Sequence, residues 1–133
     1  MAISDRNGLP IGLLVGSATP HEVTLVEETL DNCYTTGTPE KLIGDKAYDS
    51  DQLDEKLKIE REIELIAPHK INRKKPKTQD GRKLRRYKNR WRIERLFAWL
   101  QNYRRITTRY EFKLRNYLGF VQLGFIRILI RHF

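Results

Sequence analysis

The chain has 133 residues, enough for one domain with a single modest core. A hydrophobic fraction of 39% against 32% charged residues is polar for a globular domain, and a net charge of +9 points to a polyanionic partner, nucleic acid first. The one cysteine, Cys33, excludes an internal disulfide framework, suits a reducing cytoplasm, and has no Cys or His ligand pattern around it.

No basic, apolar and small-residue succession of a signal peptide opens the chain. "AIS", "DRNGLP" and "IGLLVGS" read as a strand stub, a turn on Asn7-Gly8 and a second strand. A chain whose first residues already lie in a hairpin is expected to begin partway through a fold. "TPHEVTLVEETLD" predicts a helix, with Thr19 as N-cap, Pro20 at its first position, and Val23, Val26 and Leu30 on its apolar side. "TTGTPE" is a loop and "KLIGD" a short strand ending on Asp45. "DSDQLDEKLKI" is a helix capped by Asp49 or Ser50, and "IELIAP" is a strand stopped by Pro68.

The charge changes sign at this point. Residues 1–68 hold 6 Lys/Arg and 14 Asp/Glu, a net of −8, whereas residues 69–133 hold 20 and 3, a net of +17. The second half is thereby marked to grip an anion while the first does something else. Residues 69–83, "HKINRKKPKTQDGRK", lack periodicity and carry Pro and Gly breakers, the pattern of a mobile basic loop. A long helix follows from about Leu84 to Ile106, then a link around "TTRYEFKL" and a last helix from about Arg115. The closing "YLGFVQLGFIRILI" is interrupted by Gln122 and Arg127 and falls short of the roughly 18 apolar residues that span a bilayer. Short strands alternating with helices predict an α/β layer completed by C-terminal helices, with three parts: an acidic α/β part at 1–68, a basic loop at 69–83 and a basic helical part at 84–133.

Two acids stand out. Asp45 follows the apolar "LIG", and ligand clefts open at the carboxyl ends of strands in α/β sheets. It reads equally as a turn or helix-cap acid, since Asp49 and Asp51 lie nearby. Glu94 lies among Lys88, Arg90, Arg92 and Arg95. At 100° per residue Ile93, Leu96, Phe97 and Leu100 make one apolar stripe, and Tyr87, Arg90, Glu94 and Gln101 line its flank. Glu94 then either pairs weakly with Arg90 or looks into a cleft. Two carboxylates, one at a strand end and one on a covering helix, suit a hard divalent cation, Mg²⁺ or Mn²⁺, of the kind that drives phosphodiester chemistry. Neighbouring cations would hold DNA phosphates. Trp91 and Trp99 lie off the apolar stripe, where they pack on the protein or stack on a base or a partner subunit.

The segments around both acids carry a family likeness. "LIGDKAYDSDQL" resembles the surroundings of the second catalytic aspartate of DDE-type bacterial insertion-sequence transposases. "YKNRWRIERLFAWLQNYRRITTRYE" resembles the surroundings of their catalytic glutamate. The Tyr, Arg and Glu of that signature fall on Tyr87, Arg90 and Glu94; Gln101 stands where its Lys would be, with Arg104 one turn on. "DRNGLPIGLLVGSATPHEVTLVEETLD" is similar to the family's hairpin, third strand and following helix. The resemblance implies a partial ribonuclease-H-like fold, a mixed sheet lacking its first strand, with Asp45 and Glu94 as Mg²⁺ or Mn²⁺ ligands. It places Tyr87 and Arg90 near the DNA ends, and implies a homo-oligomer when active, working at the bacterial nucleoid. Lys74, Lys75, Lys77, Arg85, Arg86, Arg104 and Arg105 are the expected phosphate contacts.

The family's first catalytic aspartate precedes the hairpin, and Asp5 matches a turn position instead. The chain is therefore expected to be inactive alone, as one half of a frameshifted enzyme completed by an upstream segment or as a decayed fragment. The alternative is a non-catalytic DNA-binding protein that associates with intact transposase. A structural nucleic-acid or ribosome-associated protein would fit the charge but not the acidic half or the two motifs.

Overall fold

In the computed structural model, which describes residues 1–16, 19–79 and 81–133, the first hairpin forms where Asn7-Gly8 demands it. Strand β1 (Ala2–Ser4) runs antiparallel to β2 (Pro10–Leu13), with Ala2 opposite Leu13 and a bulge between Ile3 and Ser4. Gly8 has φ +82°, the left-handed region that a side chain would strain. Asp5 closes the turn: its Oδ1 accepts the Asn7 and Leu9 amides, both at 2.8 Å, and its Oδ2 accepts the Asn7 side-chain amide at 3.3 Å. The expected end of the second strand at Ser17, Ala18 after it, and Asp80 of the basic loop lie outside the described residues.

The helix expected from Thr19 starts later. A 3-10 turn, Glu22–Leu25, buries no side chain, and the α-helix proper, α1 (Val26–Asp31), begins where Val26, Thr29 and Leu30 are buried. A helix this short is held by its buried face rather than by propensity. Cys33 pairs by an isolated bridge with Gly12, and a Cβ on Gly12 would lie 2.8 Å from its sulfur. Burial, with Asp31 adding to it, pushes the Cys33 thiol up, so the residue is a packing element.

Strands β3 (Lys41–Ile43) and β4 (Glu64–Ile66) pair in parallel, Leu42 opposite Leu65. A parallel pair needs a crossover, and α2 (Asp51–Arg61) supplies it. Ser50 caps this helix by accepting the Leu53 amide at 3.4 Å; Asp51 and Asp54 occupy its first turn, and Lys58 and Arg61 its last, matching the helix dipole at both ends. Glu62, at φ 58°, ends it in the left-handed conformation. Leu53 and Leu57 of this helix are buried, as are Ile63, Leu65, Ile66 and Ala67 on and around β4.

The long helix expected from Leu84 to Ile106 is broken into pieces. A single helical turn, α3 (Gly81–Leu84), passes into a 3-10 stretch, Arg85–Arg90, and only then into α4 (Trp91–Gln101) and the short α5 (Arg104–Thr107). Residues 81–90 bury no side chain. Their cations at positions 82, 83, 85, 86, 88 and 90 would meet at three- and four-residue spacings on an α-helix, where like charges repel. The Tyr87–Arg90–Glu94 spacing therefore crosses a change of helix type. The expected apolar stripe of α4 holds in part: Leu96 and Leu100 are buried and Ile93 half-buried, but the Phe97 ring is 44% exposed. Helix α6 (Leu114–Ile130) buries Val121, Phe125 and Ile128 against Leu13, Leu96 and Leu100. No helix among the described residues is long and apolar enough to cross a membrane.

These elements make two compact units. One comprises Met1–Pro20, Leu25–Thr35 and Trp91–Phe133; the other comprises His21–Thr24 and Thr36–Arg90. Both are small mixtures of strand and helix, each with its own core.

The difference along α4 is measurable. Leu96→Ala should cost about 2–5 kcal/mol in urea unfolding, the usual range for emptying a closed apolar site. Phe97→Ala should cost less than half as much, and equal losses would contradict this orientation of α4.

Candidate functional site

Asp45 owes its position to the turn after β3. The Gly44 amide still donates to the Ile66 carbonyl at 3.0 Å, so the parallel pairing persists one residue past the strand. A Cβ on Gly44 would lie 2.8 Å from the Tyr48 ring, so a side chain here would displace that ring. Asp45 then caps the 3-10 turn Lys46–Tyr48, its Oδ1 accepting the Ala47 amide at 2.7 Å. The capping role open to it from sequence is therefore real. It fixes the carboxyl group, half-buried at the strand end, through one of its two oxygens. The Tyr48 hydroxyl is pushed up to about 12 by burial, then by the charges of Glu22 and Asp45.

Glu94 occupies the first turn of α4, exposed to solvent. Asp45 belongs to one compact unit and Glu94 to the other. Tyr87 and Arg90 share the unit of Asp45 and are brought together: Arg90 Nη1 donates to the Tyr87 hydroxyl at 2.6 Å, and the guanidinium lies 5.7 Å from the ring centroid. Gln101 ends α4, exposed, and Arg104 opens α5, also exposed.

The remaining cations divide by what they touch. Lys74 and Lys77 are exposed; Lys75, also exposed, has its Nζ 3.3 Å from Asp51 Oδ2. Arg85 and Arg86 are exposed on the 3-10 stretch, and Arg86 lies 3.9 Å from Glu64. The hydrogen bond from Lys83, at 2.6 Å, leads the effects that hold Glu64 below its usual range. Arg105 is exposed but paired within the chain, donating to Glu111 at 2.9 Å and sitting 5.2 Å from the Phe120 ring centroid. Both tryptophans carry arginine. Arg95 lies 4.7 Å from each ring centroid and donates to the Asn7 carbonyl, and Trp99 packs on His132 at 4.9 Å while Trp91 stays half-exposed.

One constellation was not visible in the sequence. Asp49, Asp51, His69 and Arg73 form an ion network that ties down the basic loop expected to be mobile. Asp49 Oδ1 accepts from His69 Nδ1 and Arg73 Nη1, both at 2.9 Å, and its Oδ2 accepts the Lys70 amide at 2.7 Å. Arg73 Nη2 reaches Asp51 at 2.5 Å. Burial works to raise Asp49, but the Lys70 amide, His69 and Arg73 outweigh it and hold the carboxyl below its ordinary value. Asp51 is lowered chiefly by its hydrogen bond from Arg73. These partners lie about twenty residues apart, a separation that leaves no local pattern.

As metal donors, Asp45 and Glu94 offer hard carboxylate oxygens of the kind Mg²⁺ and Mn²⁺ take. They fit such a cation in kind but not in number. Among the described residues no three His, Cys, Asp or Glu gather into a group that could hold a metal ion.

A mixed α/β chain with small sheets, several helices and a carboxylate at a strand end belongs to a known class: residues 1–129 match the family described as transposase DDE domain, and the chain belongs to that family. Members of the family typically use a divalent metal. Among its relatives is a protein of Burkholderia cepacia named as a transposase for insertion sequence element IS402, 28% identical over 130 residues, or 92% of this chain and 57% of the relative. Another, from Brucella ovis, is named as a transposase for insertion sequence element IS6501 and is 38% identical over 92 residues, 68% of this chain and 67% of that protein. The chain thus spans between about half and two thirds of the length of the relatives it matches. No solved structure matches it.

The ion network has a pH signature. A carboxyl lowered by folding adds stability above its unfolded value, about 3.9 for Asp, and that stability is lost as pH falls through the lowered folded value. Asp49→Asn should therefore destabilise the chain by about 1–3 kcal/mol at pH 7, the cost of leaving buried donors unmet. In thermal melts the gap to wild type should persist to about pH 4 and close below it. A gap independent of pH would show that the Asp49 charge contributes nothing.

Proposed function

We propose that this chain is the C-terminal catalytic portion of an insertion-sequence transposase, with a ribonuclease-H-like arrangement in which Asp45 and Glu94 are two of three metal-binding carboxylates. The observation that carries the proposal is the family match over residues 1–129, together with the fixed carboxyl of Asp45 just past a parallel strand. Tyr87, Arg90 and Glu94 then form the family's signature, and the hydrogen-bonded Tyr87–Arg90 pair contacts DNA near the cleaved end. Gln101 departs from that signature, and Arg104 supplies the cation in its place.

Mg²⁺ or Mn²⁺, held by Asp45 and Glu94, would lower the pKa of an attacking water or 3′ hydroxyl and steady the leaving oxygen of a phosphodiester. The protein's own share is positioning. The Ala47 amide holds the Asp45 carboxyl in one orientation, and Gly44 lets the backbone turn close against Tyr48. Lys74, Lys75, Lys77, Arg85, Arg86 and Arg104 neutralise phosphates along the duplex, while Arg105 is mainly a partner of Glu111.

The third carboxylate is supplied by another segment of the enzyme; the relatives are longer than the part of them that this chain matches. Asp5 does not replace it, because both its oxygens are committed to the hairpin turn. The chain alone is then a DNA-binding but inactive part, and the assembled enzyme works as a homo-oligomer at DNA in the bacterial cytoplasm.

The test is plasmid nicking in Mn²⁺. The chain alone should bind the plasmid without nicking it. Fused behind the preceding part of the Burkholderia cepacia relative, it should nick, and Asp45→Asn or Glu94→Gln should each reduce the rate at least about a hundredfold. Nicking that survives both substitutions would overturn the assignment. Binding without nicking in the fusion would favour a non-catalytic DNA-binding protein.

A further inference from the structure

The loop that follows β4 contains five cations between residues 70 and 77, and one of them differs from the rest. Arg73 points inward, its side chain 10% exposed, and commits all three guanidinium nitrogens to the protein. Nε donates to the Pro76 carbonyl at 3.1 Å, Nη1 to Asp49 at 2.9 Å, and Nη2 to Asp51 at 2.5 Å and again to Pro76 at 3.0 Å. Such an arginine folds the loop and does not reach for phosphate. Lys70, Lys74, Lys75 and Lys77 are all exposed around it.

Two further ties hold the same loop. The Thr78 amide donates to His69 Nε2 at 3.2 Å, so that nitrogen carries no proton and Nδ1 is the one that donates to Asp49. The Gln79 side chain copies a strand: its Nε2 donates to the Leu65 carbonyl at 2.9 Å and its Oε1 accepts the Ala67 amide at 3.2 Å, both next to or on β4. Asp49 is the centre, buried to 6% exposure and accepting from His69, Lys70 and Arg73 at once.

We propose that Asp49 is a positioning residue for DNA binding: it pre-orders the loop Lys70–Thr78 so that Lys74, Lys75 and Lys77 meet the phosphates of double-stranded DNA as a rigid set. The proposal rests on the reading of those lysines as phosphate contacts. Its physical basis is the entropy of ordering. Fixing one residue's backbone costs about 1–2 kcal/mol, and a loop left disordered must meet that cost on binding. A loop already folded around Asp49 does not.

This gives a result opposite in sign to simple electrostatics. Removing an acid raises the net charge by one and should by itself tighten DNA binding or leave it unchanged. Removing Asp49 should weaken it. The experiment measures binding of the full chain to a mixed-sequence duplex of about 30 base pairs across a salt series, at a temperature where melts show each variant folded. Asp49→Asn should bind about tenfold more weakly, with a shallower salt slope, whereas Glu60→Gln, which removes an exposed acid on α2, should bind as well as wild type or better. Gln79→Leu cuts the tie to β4 without changing charge and should weaken binding in the same direction; it decides the matter if Asp49→Asn does not fold.

The combined variant Lys74→Gln, Lys75→Gln, Lys77→Gln separates the two levels of the claim. It should lower the salt slope by about two to three. If it binds like wild type, the loop does not contact DNA, and the phosphate reading falls together with the positioning role. If it weakens binding while Asp49→Asn and Gln79→Leu bind like wild type or tighter, only the positioning role is overturned, and the network serves stability alone.

Discussion

The parallel pairing of β3 with β4 is the constraint on which the unit around Asp45 depends. Two parallel strands finish at the same end of their sheet, so the segments that leave them emerge side by side. The segment leaving β3 carries Asp45, Asp49 and Asp51; the segment leaving β4 carries His69, Lys70 and Arg73. An antiparallel pair would send these segments to opposite ends, and neither the ion network nor a loop folded over the strand ends would form. The crossover helix α2 completes the arrangement, because Ser50, its N-cap, follows Asp49 directly. The acidic first half of the chain and the start of its basic half are joined through these ion pairs.

The same logic explains why acids recur near cations in a chain that is basic overall. Arg73 is mostly buried against Asp49 and Asp51, and Lys83 and Arg105, though exposed, each lie within 3 Å of a carboxylate; Lys74, Lys77 and Arg85 are exposed. Positive charge that is internally paired adds little to an external field, and exposed charge carries the attraction for a polyanion. A sum over the sequence counts both alike.

Much of the architecture was legible because it is encoded locally. Asn7-Gly8 between apolar runs marks a hairpin, and "LIG" before Asp45 marks a strand end. Ser50 ahead of a periodic stretch marks a helix start. A 100° rotation per residue puts Leu96 in the apolar stripe of α4 and Glu94 on its flank, and the structure buries Leu96 and leaves Glu94 exposed. Legibility failed where non-local or repulsive effects decide. Nothing near Asp49 announces His69 or Arg73, because their meeting depends on the crossover. The stretch from Leu84 to Arg90 looked helical by continuity with α4, yet it has no buried face and too many like charges to form a regular α-helix. Phe97 shows a third kind of failure: its phase on the helix was right, but no neighbour covers it fully.

The central proposal is that Asp45 and Glu94 are ligands of the same cation. Paramagnetic broadening tests this most directly, with Mn²⁺ titrated into the isotopically labelled chain bound to duplex DNA while backbone amides are followed by NMR. Amides flanking Asp45 and Glu94 should broaden together, at the same Mn²⁺ concentrations, and Asp45→Asn should abolish both effects. Broadening confined to one of the two, or centred on Asp49 and Asp51, would contradict the account.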